Sequence, residues 1–504
     1  MENTSAPVKE NKLGTENIGK LLIKMSLPMM ISMLVLALYN IVDTYFVSKI
    51  SETATSALTI AFPFQMLISS IAVGTSVGIS SLISRRLGEQ NRPAADNVAS
   101  TGFILMLISS VIVSAIYFFL SKAMLTSFST DPAELDYAVT YLKICGSLSV
   151  FVMFSVVSEK ILQGTGNAVI PMIIQLGGAI TNIVLDPVLI FGYGFFPKMG
   201  IAGAAVATVI GQAVSMIMGL LFLFCGKDKK IDINFKGFKI QKQVIRDIYD
   251  VGFPSIIMQS IASFVTMGIY AIINTYLAFC SIQAKCVLGI YFKIQSFIFM
   301  PVFGLNSGAM PIMAYNYGAR RKDRYMRTLK LSLICALIIM CIGFAIFQLF
   351  PGKLLSIFDS VGKDKATLDM GIKAFRIIST CFPFAAIGII LVCSFNAVGK
   401  GIYALIVSCC RQIVIILPAA FFLAKFIDNV RQTSTAIWWA YPLAEIFGTI
   451  IAIALFMSVY KKYISRLVPL NKKCCENDAS AKAVSVSESS ESDINTNSPE
   501  PIKS

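Results

Sequence analysis

Histidine is absent from this sequence of 504 residues, and charged residues are scarce. Without histidine the chain cannot form a Ser-His-Asp triad or an H-E-x-x-H zinc site, which excludes two large groups of hydrolases. Charged residues make up 14% of the chain, whereas a soluble domain has about 25%. With 56% hydrophobic residues and a mean hydropathy of +0.73, the composition is typical of a protein that crosses the membrane many times.

The sequence also lacks the features of an ATP-driven pump and of a soluble sensor. No G-x-x-x-x-G-K-[ST] phosphate-binding loop occurs. No long polar region is available to fold as a sensor or scaffold domain, and no nucleophile lies beside a base as a membrane enzyme would require. We therefore predict a membrane protein that is not an enzyme and that needs no cofactor.

Twelve apolar runs are long enough to cross a bilayer as helices, which takes about 20 residues each. The predicted spans are residues 21–46, 57–83, 98–120, 138–162, 169–191, 201–224, 251–277, 287–310, 328–350, 374–396, 403–423 and 435–460. They define an N-terminal segment (1–20), a first lobe (21–224), a connector (225–250), a second lobe (251–460) and a tail (461–504). The tail is rich in Ser, Glu, Asn and Pro, which predicts disorder.

The net charge of +15 is carried by short loops between the apolar runs, which indicates membrane orientation and not nucleic acid binding. Basic clusters follow predicted spans 2, 6 and 8, whereas the loop after span 3 is acidic. Lysine and arginine collect on the cytoplasmic side of membrane proteins. Because the three basic loops lie on one side together with both termini, we expect both termini in the cytoplasm of a cell-membrane protein.

The two halves of the chain share short motifs that lie about 230 residues apart. Gly74-x-x-x-Gly78 in span 2 recurs as Gly304-x-x-x-Gly308 in span 8. This spacing indicates a tandem duplication, and six spans per half give both halves the same orientation. We therefore predict an all-α polytopic membrane protein with two pseudo-symmetric six-helix lobes.

An acidic residue, Asp43, lies within the apolar run of span 1, near its end. A carboxylate in a membrane helix costs roughly 2.5–3.5 kcal/mol on insertion scales, so such residues usually face a protein interior or a wet cavity. In span 5, Asn182 and Asp186 are four residues apart and share a helix face. The same spacing occurs in spans 1 and 6, in the pairs Tyr39/Asp43 and Thr208/Gln212.

The direction of each span places these oxygen-bearing side chains at similar depth in the outer half of the first lobe. Two carboxylates with amide and hydroxyl oxygens suit a hard cation such as Na⁺. A close pair of buried carboxylates would instead hold a proton, because both cannot ionise cheaply. A plainer alternative is that Asp43 is the interfacial end of its helix and that Asp186 caps a helix broken at Pro187.

The second lobe does not repeat this cluster. Arg411 in span 11 and Glu445 in span 12 lie at similar depth, and we favour a buried ion pair over a cavity or gating role. Lys293 in span 8 is a further charge without an evident partner. The candidates for lining a cavity, contacting substrate or gating are Tyr39, Asn40, Gln212, Lys293, Arg411 and Glu445.

Several stretches together resemble the multidrug and toxic compound extrusion (MATE) family, in its bacterial MepA-like branch, over about residues 19–462. They are Tyr39-Asn-Ile-Val-Asp43, Gly74-Thr-Ser-Val-Gly78, Asn182-Ile-Val-Leu-Asp186-Pro187, Gly200-Ile-Ala-Gly-Ala-Ala-Val-Ala-Thr208 and Met300-Pro-Val-Phe-Gly-Leu-Asn306. The resemblance implies a central cavity between the lobes and a coupling site for H⁺ or Na⁺ at Asp43, Asn182, Asp186 and Thr208. A related branch has an acidic residue in span 7, where this chain has Gln259 and Ser260.

The resemblance implies a secondary multidrug antiporter that exports organic cations and other amphipathic compounds by alternating access. We expect drugs and membrane lipid as partners, no nucleic acid, and a monomer. The main alternative is a flippase for lipid-linked glycans from the same wider superfamily. A flippase would be expected to have a strongly cationic cavity, for which only Lys293 and Arg411 are available.

Overall fold

The computed structural model describes residues 11–126, 131–193, 196–225, 231–233, 241–356, 365–431 and 433–467. All regular secondary structure in these ranges is helical, which confirms the all-α fold. The first ten residues, residues 226–230 and 234–240 of the predicted connector, and the tail from residue 468 onward lie outside the described residues.

Polar side chains cap the free backbone N–H groups at the start of several helices in the first lobe. Asn17 Oδ1 accepts from the Gly19 N–H at 3.0 Å, and Ser51 Oγ accepts from the Ala54 N–H at 3.0 Å. The helices are α1 (Lys12–Thr15), α2 (Ile18–Ser48), α3 (Glu52–Gly88), α4 (Arg92–Leu125), α5 (Pro132–Ser147), α6 (Ser149–Gly164), α7 (Val169–Phe191) and α8 (Ile201–Cys225).

The second lobe has the same order of long helices. Its first long helix begins at Lys242, inside the predicted connector, so Lys242 and Arg246 are part of the same continuous helix as span 7. The helices are α9 (Lys242–Tyr276), α10 (Ser281–Gly318), α11 (Lys322–Leu349), α12 (Pro351–Ser356), α13 (Lys365–Ser379), α14 (Phe382–Val398), α15 (Gly401–Asp428) and α16 (Ile437–Ile464). Within α15, residues Cys410–Ile416 form a π-helical segment.

The described helices account for the predicted number of membrane crossings. Ten of them are each long and apolar enough to cross a membrane. Two further crossings are bent pairs, in which α5 meets α6 at 48° and α13 meets α14 at 45°. Counting each pair as one span gives twelve, six in each lobe.

Pro187 does not break the helix that contains it. α7 continues past this residue to Phe191 and ends at Gly192, whose φ of +78° is the left-handed conformation that glycine adopts easily at a helix end. Asp186 therefore lies within the helix and is completely buried. The alternative that Asp186 caps a broken helix is wrong.

The two lobes meet through glycines at equivalent positions of the duplication. A Cβ atom on Gly88 of α3 would overlap with the carbonyl oxygen of Tyr315 in α10. In return, a Cβ atom on Gly318 of α10 would overlap with the carbonyl oxygen of Arg85 in α3. Gly88 and Gly318 are about 230 residues apart in the chain, and so are Arg85 and Tyr315. The contact is thus reciprocal, as a twofold relation between the lobes requires.

The end of the bundle at which this contact lies is here called the basic face, since it carries Arg85, Arg86, Arg320 and Arg324. Side-chain hydrogen bonds connect the long helices of the two lobes. Among the described residues, these bonds lie in the half of the bundle nearer the basic face. They join Ser26 Oγ to the Leu305 carbonyl at 3.4 Å, Ser81 Oγ to the Asn396 carbonyl at 2.6 Å, and Arg86 Nη2 to Asp247 Oδ2 at 3.2 Å.

At the opposite ends the lobes stand apart. Gly304 and Gly308 in the second half of α10 touch the backbone of α2, whereas Gly289 near its start has nothing within 4 Å of where a Cβ would lie. The protein is therefore closed at the basic face and open between the lobes on the other side.

The tight seam predicts a specific cost for one methyl group at Gly88. In Gly88→Ala the new Cβ would overlap with backbone, which cannot move aside as a flexible side chain can. We expect a destabilisation of about 1–3 kcal/mol. Gly289→Ala adds the same methyl in open space and should change stability little. Melting temperatures of the purified variants in detergent measure the difference, and equal values for both variants would contradict the seam.

Candidate functional site

Asn182 and Asp186 lie on the face of α7 that packs against α8, as their spacing predicts. Asn182 is 2% exposed and Asp186 is fully buried. Small residues bring the two helices close together, since a Cβ on Gly211 of α8 would lie 3.1 Å from Cβ of Asn182. This approach places Thr208 of α8, itself 2% exposed, beside the amide of Asn182.

The amide of Asn182 connects the carboxylate of α7 to the hydroxyl of α8. In the orientation that satisfies both neighbours, its Nδ2 donates to Oδ2 of Asp186 at 3.0 Å. Its Oδ1 then accepts from the Thr208 hydroxyl at 3.3 Å. Asn182 thus supplies one hydrogen bond to Asp186 and fixes the position of Thr208.

The second carboxylate, Asp43, enters the same interior from α2. It is 8% exposed and lies within electrostatic reach of Asp186. Its Oδ1 atom is buried and has no hydrogen-bond partner among the described residues. Tyr39, one turn earlier in α2, lies close to Asp43, Asp186 and Thr208. The residues predicted for ion coupling therefore come together in the first lobe.

α5 adds two residues that the sequence patterns did not identify. Tyr141 is 1% exposed and lies near Asp43 and Tyr39. Cys145, one turn further along α5, is 4% exposed and also lies near Asp43. Their spacing of four residues matches that of the other polar pairs, so a search for tyrosine and cysteine at this spacing could have found them.

One buried acceptor of the cluster lacks a donor. Asn182 donates to Asp186, whereas Oδ1 of Asp43 receives no donor from the described residues. A buried acceptor left without a partner costs about 1–3 kcal/mol. A proton on Asp43 would supply the missing partner, and so would a Na⁺ ion between the oxygens. The described part of the chain contains no group of three or more Cys, Asp or Glu side chains that could hold a metal ion.

Asn40 and Gln212 lie beside the cluster but differ from it in environment. The Asn40 amide donates to the Leu36 carbonyl of its own helix at 2.9 Å, and its side chain is exposed. Gln212 follows Thr208 by one turn of α8, and its buried Oε1 atom has no partner in the described residues. Gln212 therefore adds another acceptor to this lobe, whereas Asn40 faces the open side of α2.

Arg411 and Glu445 form the ion pair that the sequence favours for the second lobe. Arg411 Nη1 lies 2.9 Å from Oε1 and 3.1 Å from Oε2 of Glu445. Both side chains are partly buried, at 24% and 17% exposure. Gly448 of α16 leaves room for the stem of Arg411, because a Cβ there would lie 3.0 Å from Cγ of the arginine. Arg411 lies in the π-helical segment of α15.

Lys293 of α10 is exposed and forms no ion pair among the described residues. Lys293 precedes Gly304 by about three helical turns, so the two residues lie on the same side of α10. At Gly304, which is closer to the basic face, this side of α10 contacts α2. Since the lobes have separated at this level, Lys293 lies beside the opening between them.

A buried charged pair on α6 was missed by the sequence analysis. Glu159 and Lys160 are 7% and 8% exposed. Ser155 Oγ donates to Glu159 Oε1 at 3.4 Å, and Lys160 Nζ donates to Gln163 Oε1 at 2.9 Å. The argument that selected Asp43, a charge inside an apolar run, applies to both residues and could have found them.

Comparison with known proteins gives matches that extend over both lobes. The MatE family model matches residues 28–188 and 254–422, one block in each lobe. The FAD transporter of Shewanella oneidensis is 27% identical over 419 residues, covering 82% of this chain and 90% of that protein. The multidrug export protein MepA of Staphylococcus haemolyticus is 26% identical over 445 residues, covering 88% of this chain and 94% of MepA.

A solved structure of similar fold comes from Pyrococcus furiosus. It is a transporter of the MOP superfamily, with a TM-score of 0.84 and 25% identity over 90% of this chain and 99% of that one. The reverse polarity of its binding pocket has been taken to suggest a different function. The similarity therefore extends to the whole arrangement of helices.

The Arg411–Glu445 pair predicts a difference between single and double substitution. Arg411→Ala leaves Glu445 without its partner and should lower the free energy of unfolding by up to about 3 kcal/mol. Replacing both residues, in Arg411→Met with Glu445→Leu, removes the unpaired charge and should restore most of that loss.

Thermal unfolding of the purified variants in detergent measures both effects. Arg376→Ala is the control, because it removes an exposed arginine of the same lobe. A double variant as unstable as Arg411→Ala would contradict the prediction.

Proposed function

This chain belongs to the MatE family of multidrug efflux transporters, and we propose that it is a secondary active antiporter that exchanges H⁺ or Na⁺ for organic cations and other amphipathic compounds. Members of this family are multi-pass cell-membrane proteins that transport small molecules. We further propose that both termini lie in the cytoplasm and that the chain acts as a monomer.

The observation that carries this proposal is the unpartnered oxygen of Asp43 next to Asp186. Both carboxylates are buried within one lobe, and the described residues give Oδ1 of Asp43 no donor. An ionised group in a membrane interior is costly unless it is paired. A small cation from solution would supply the missing partner, and its departure would leave the lobe with an uncompensated negative charge.

The coupling ion acts by stabilising one arrangement of the lobes over the other. An ion can shift this equilibrium only by its difference in affinity for the two arrangements. With the basic face in the cytoplasm, the conformation described here opens to the outside, and the remaining 8% exposure of Asp43 gives the ion access. The ion and the exported compound must favour different arrangements, so that each displaces the other across the membrane.

An anionic substrate is the second candidate. The relative from Shewanella oneidensis is named for FAD, which carries a negatively charged pyrophosphate. Lys293, exposed beside the opening and without an ion pair in the described residues, could bind such a group. This candidate keeps the antiport mechanism and changes the cargo.

Dye export from proteoliposomes tests the proposal. A pH gradient and a Na⁺ gradient are imposed separately on vesicles that hold the wild type, Asp43→Asn or Asp186→Asn. One of the gradients should drive export of a fluorescent cationic dye, and either substitution should reduce the driven rate at least tenfold, because the amide takes up no proton and lacks the negative charge that attracts Na⁺. Asp136→Asn, which changes an exposed carboxylate at the start of α5, is the matched control and should transport normally.

Normal driven export by Asp43→Asn would contradict the proposed coupling site. Export of FAD from vesicles loaded with it tests the second candidate, and Lys293→Ala should slow it selectively. Movement of lipid-linked glycan without any dye or FAD transport would favour the flippase.

A further inference from the structure

The chain just before the first long helix docks at the junction of the two lobes. Residues 11–16, here called the clasp, contain the short helix α1 and lie at the basic face. Leu13 in the clasp is completely buried. A fully buried leucine is unexpected here, because this segment lies outside the membrane-spanning helices.

The clasp binds the first lobe at the loop between α6 and α7. Asn11 Nδ2 donates to the Thr165 carbonyl at 3.2 Å. The side chain of Leu13 packs on Gly166, where a Cβ would lie 2.9 Å from Cγ of the leucine. Gly166 has a φ of +88°, so the loop turns tightly enough to receive the leucine.

The clasp binds the second lobe through its backbone carbonyls. Asn316 Nδ2 of α10 donates to the Leu13 carbonyl at 3.2 Å. Arg321 Nη1 donates to the Gly14 carbonyl at 2.7 Å. Arg324 Nη2 of α11 donates to the Leu13 carbonyl at 3.3 Å and to the Glu16 carbonyl at 2.8 Å. Several charge-assisted hydrogen bonds therefore hold the clasp to the lobe opposite its own.

The start of α2 does not need these contacts. Asn17 caps α2 with its own side chain, which accepts from the Gly19 N–H. The clasp lies before this cap, and its carbonyls point to residues of α10 and α11 instead. Glu16 also pairs with Lys24 of α2 at 3.2 Å. The other described contacts of residues 11–16 serve the junction of the lobes.

The other half of the duplication has a contact of the same kind. Asp247, near the start of α9, pairs with Arg86 at the end of α3 at 3.2 Å. Arg86 and Asn316 are about 230 residues apart, as equivalent positions of the duplication are. In each half, residues near the start of the first long helix of a lobe thus bind the end of the second long helix of the other lobe.

We propose that residues 11–16 form a clasp that holds the protein in the conformation closed at the basic face, and that transport requires its release. The inference rests on the proposed alternating access, because the lobes must separate at this face in every cycle. Separation of the lobes moves Gly166 of the first lobe away from Arg321 and Arg324 of the second lobe. The clasp must therefore detach from one of the two lobes. The strength of these contacts then sets how often the basic face opens.

A distance measurement across the basic face tests the clasp. Spin labels are placed on Gln90→Cys and Arg320→Cys, in a variant that lacks the native cysteines and still folds. Both positions are exposed and equivalent, with φ of +59° and +56°. The distance distribution is then compared among the parent protein, Leu13→Ala, Leu13→Asp and Arg324→Ala.

The clasp predicts more of the long-distance, open population in these variants. We expect the ratio of open to closed protein to rise about tenfold in Leu13→Asp and Arg324→Ala, and less in Leu13→Ala. Thr15→Ala changes an exposed residue of the same helix and should leave the distribution unchanged. Distributions that are the same in Leu13→Asp, Arg324→Ala and Thr15→Ala would overturn the proposal. The lobe distance is measured without ions or dye, so its outcome is independent of whether the coupling site is correct.

Discussion

A carboxylate inside a membrane must obtain its partners from the protein, and the first lobe is organised by this requirement. Close approach of α7 and α8 at Gly211 lets Asn182 connect Asp186 to Thr208. Asp43 enters the same interior from α2 and leaves one oxygen without a donor. In the second lobe, Glu445 has Arg411 as its partner. The duplicated lobes thus share a helix arrangement but differ in electrostatics, because the carboxylate of the second lobe is paired and Asp43 of the first lobe has an oxygen without a partner in the described residues.

The junction of the lobes suits a protein that must open and close. Gly88 and Gly318 let backbone meet backbone, so little side-chain interlocking has to be undone when the lobes part. Polar contacts surround this junction at the basic face, among them Arg86 with Asp247 and the clasp with Arg324. When such contacts break, their polar groups can form hydrogen bonds with water, so opening this face would cost little free energy per contact.

Much of this architecture could be predicted from local patterns, because span length and helical spacing are local properties. Twelve crossings, the shared face of Asn182 and Asp186, and the Arg411–Glu445 pair follow in this way. Pro187 was a misleading signal, since packing keeps α7 continuous through it. The clasp binds residues about 300 positions away and therefore has no local signature. Tyr141 and Cys145 share the spacing of four residues and were overlooked. Glu159 and Lys160 also had a local signature and were overlooked.

We infer that Asp43 and Asp186 hold an ion that the exported compound displaces. Ion release on dye binding tests this inference, with purified protein in weakly buffered detergent and a pH indicator, and in parallel with radioactive Na⁺. We expect the wild type to release H⁺ or Na⁺ in proportion to the dye bound, and Asp186→Asn to bind dye without releasing either ion. Dye binding by the wild type with no ion release, or equal release by Asp186→Asn, would show that these carboxylates do not couple the ion to the compound.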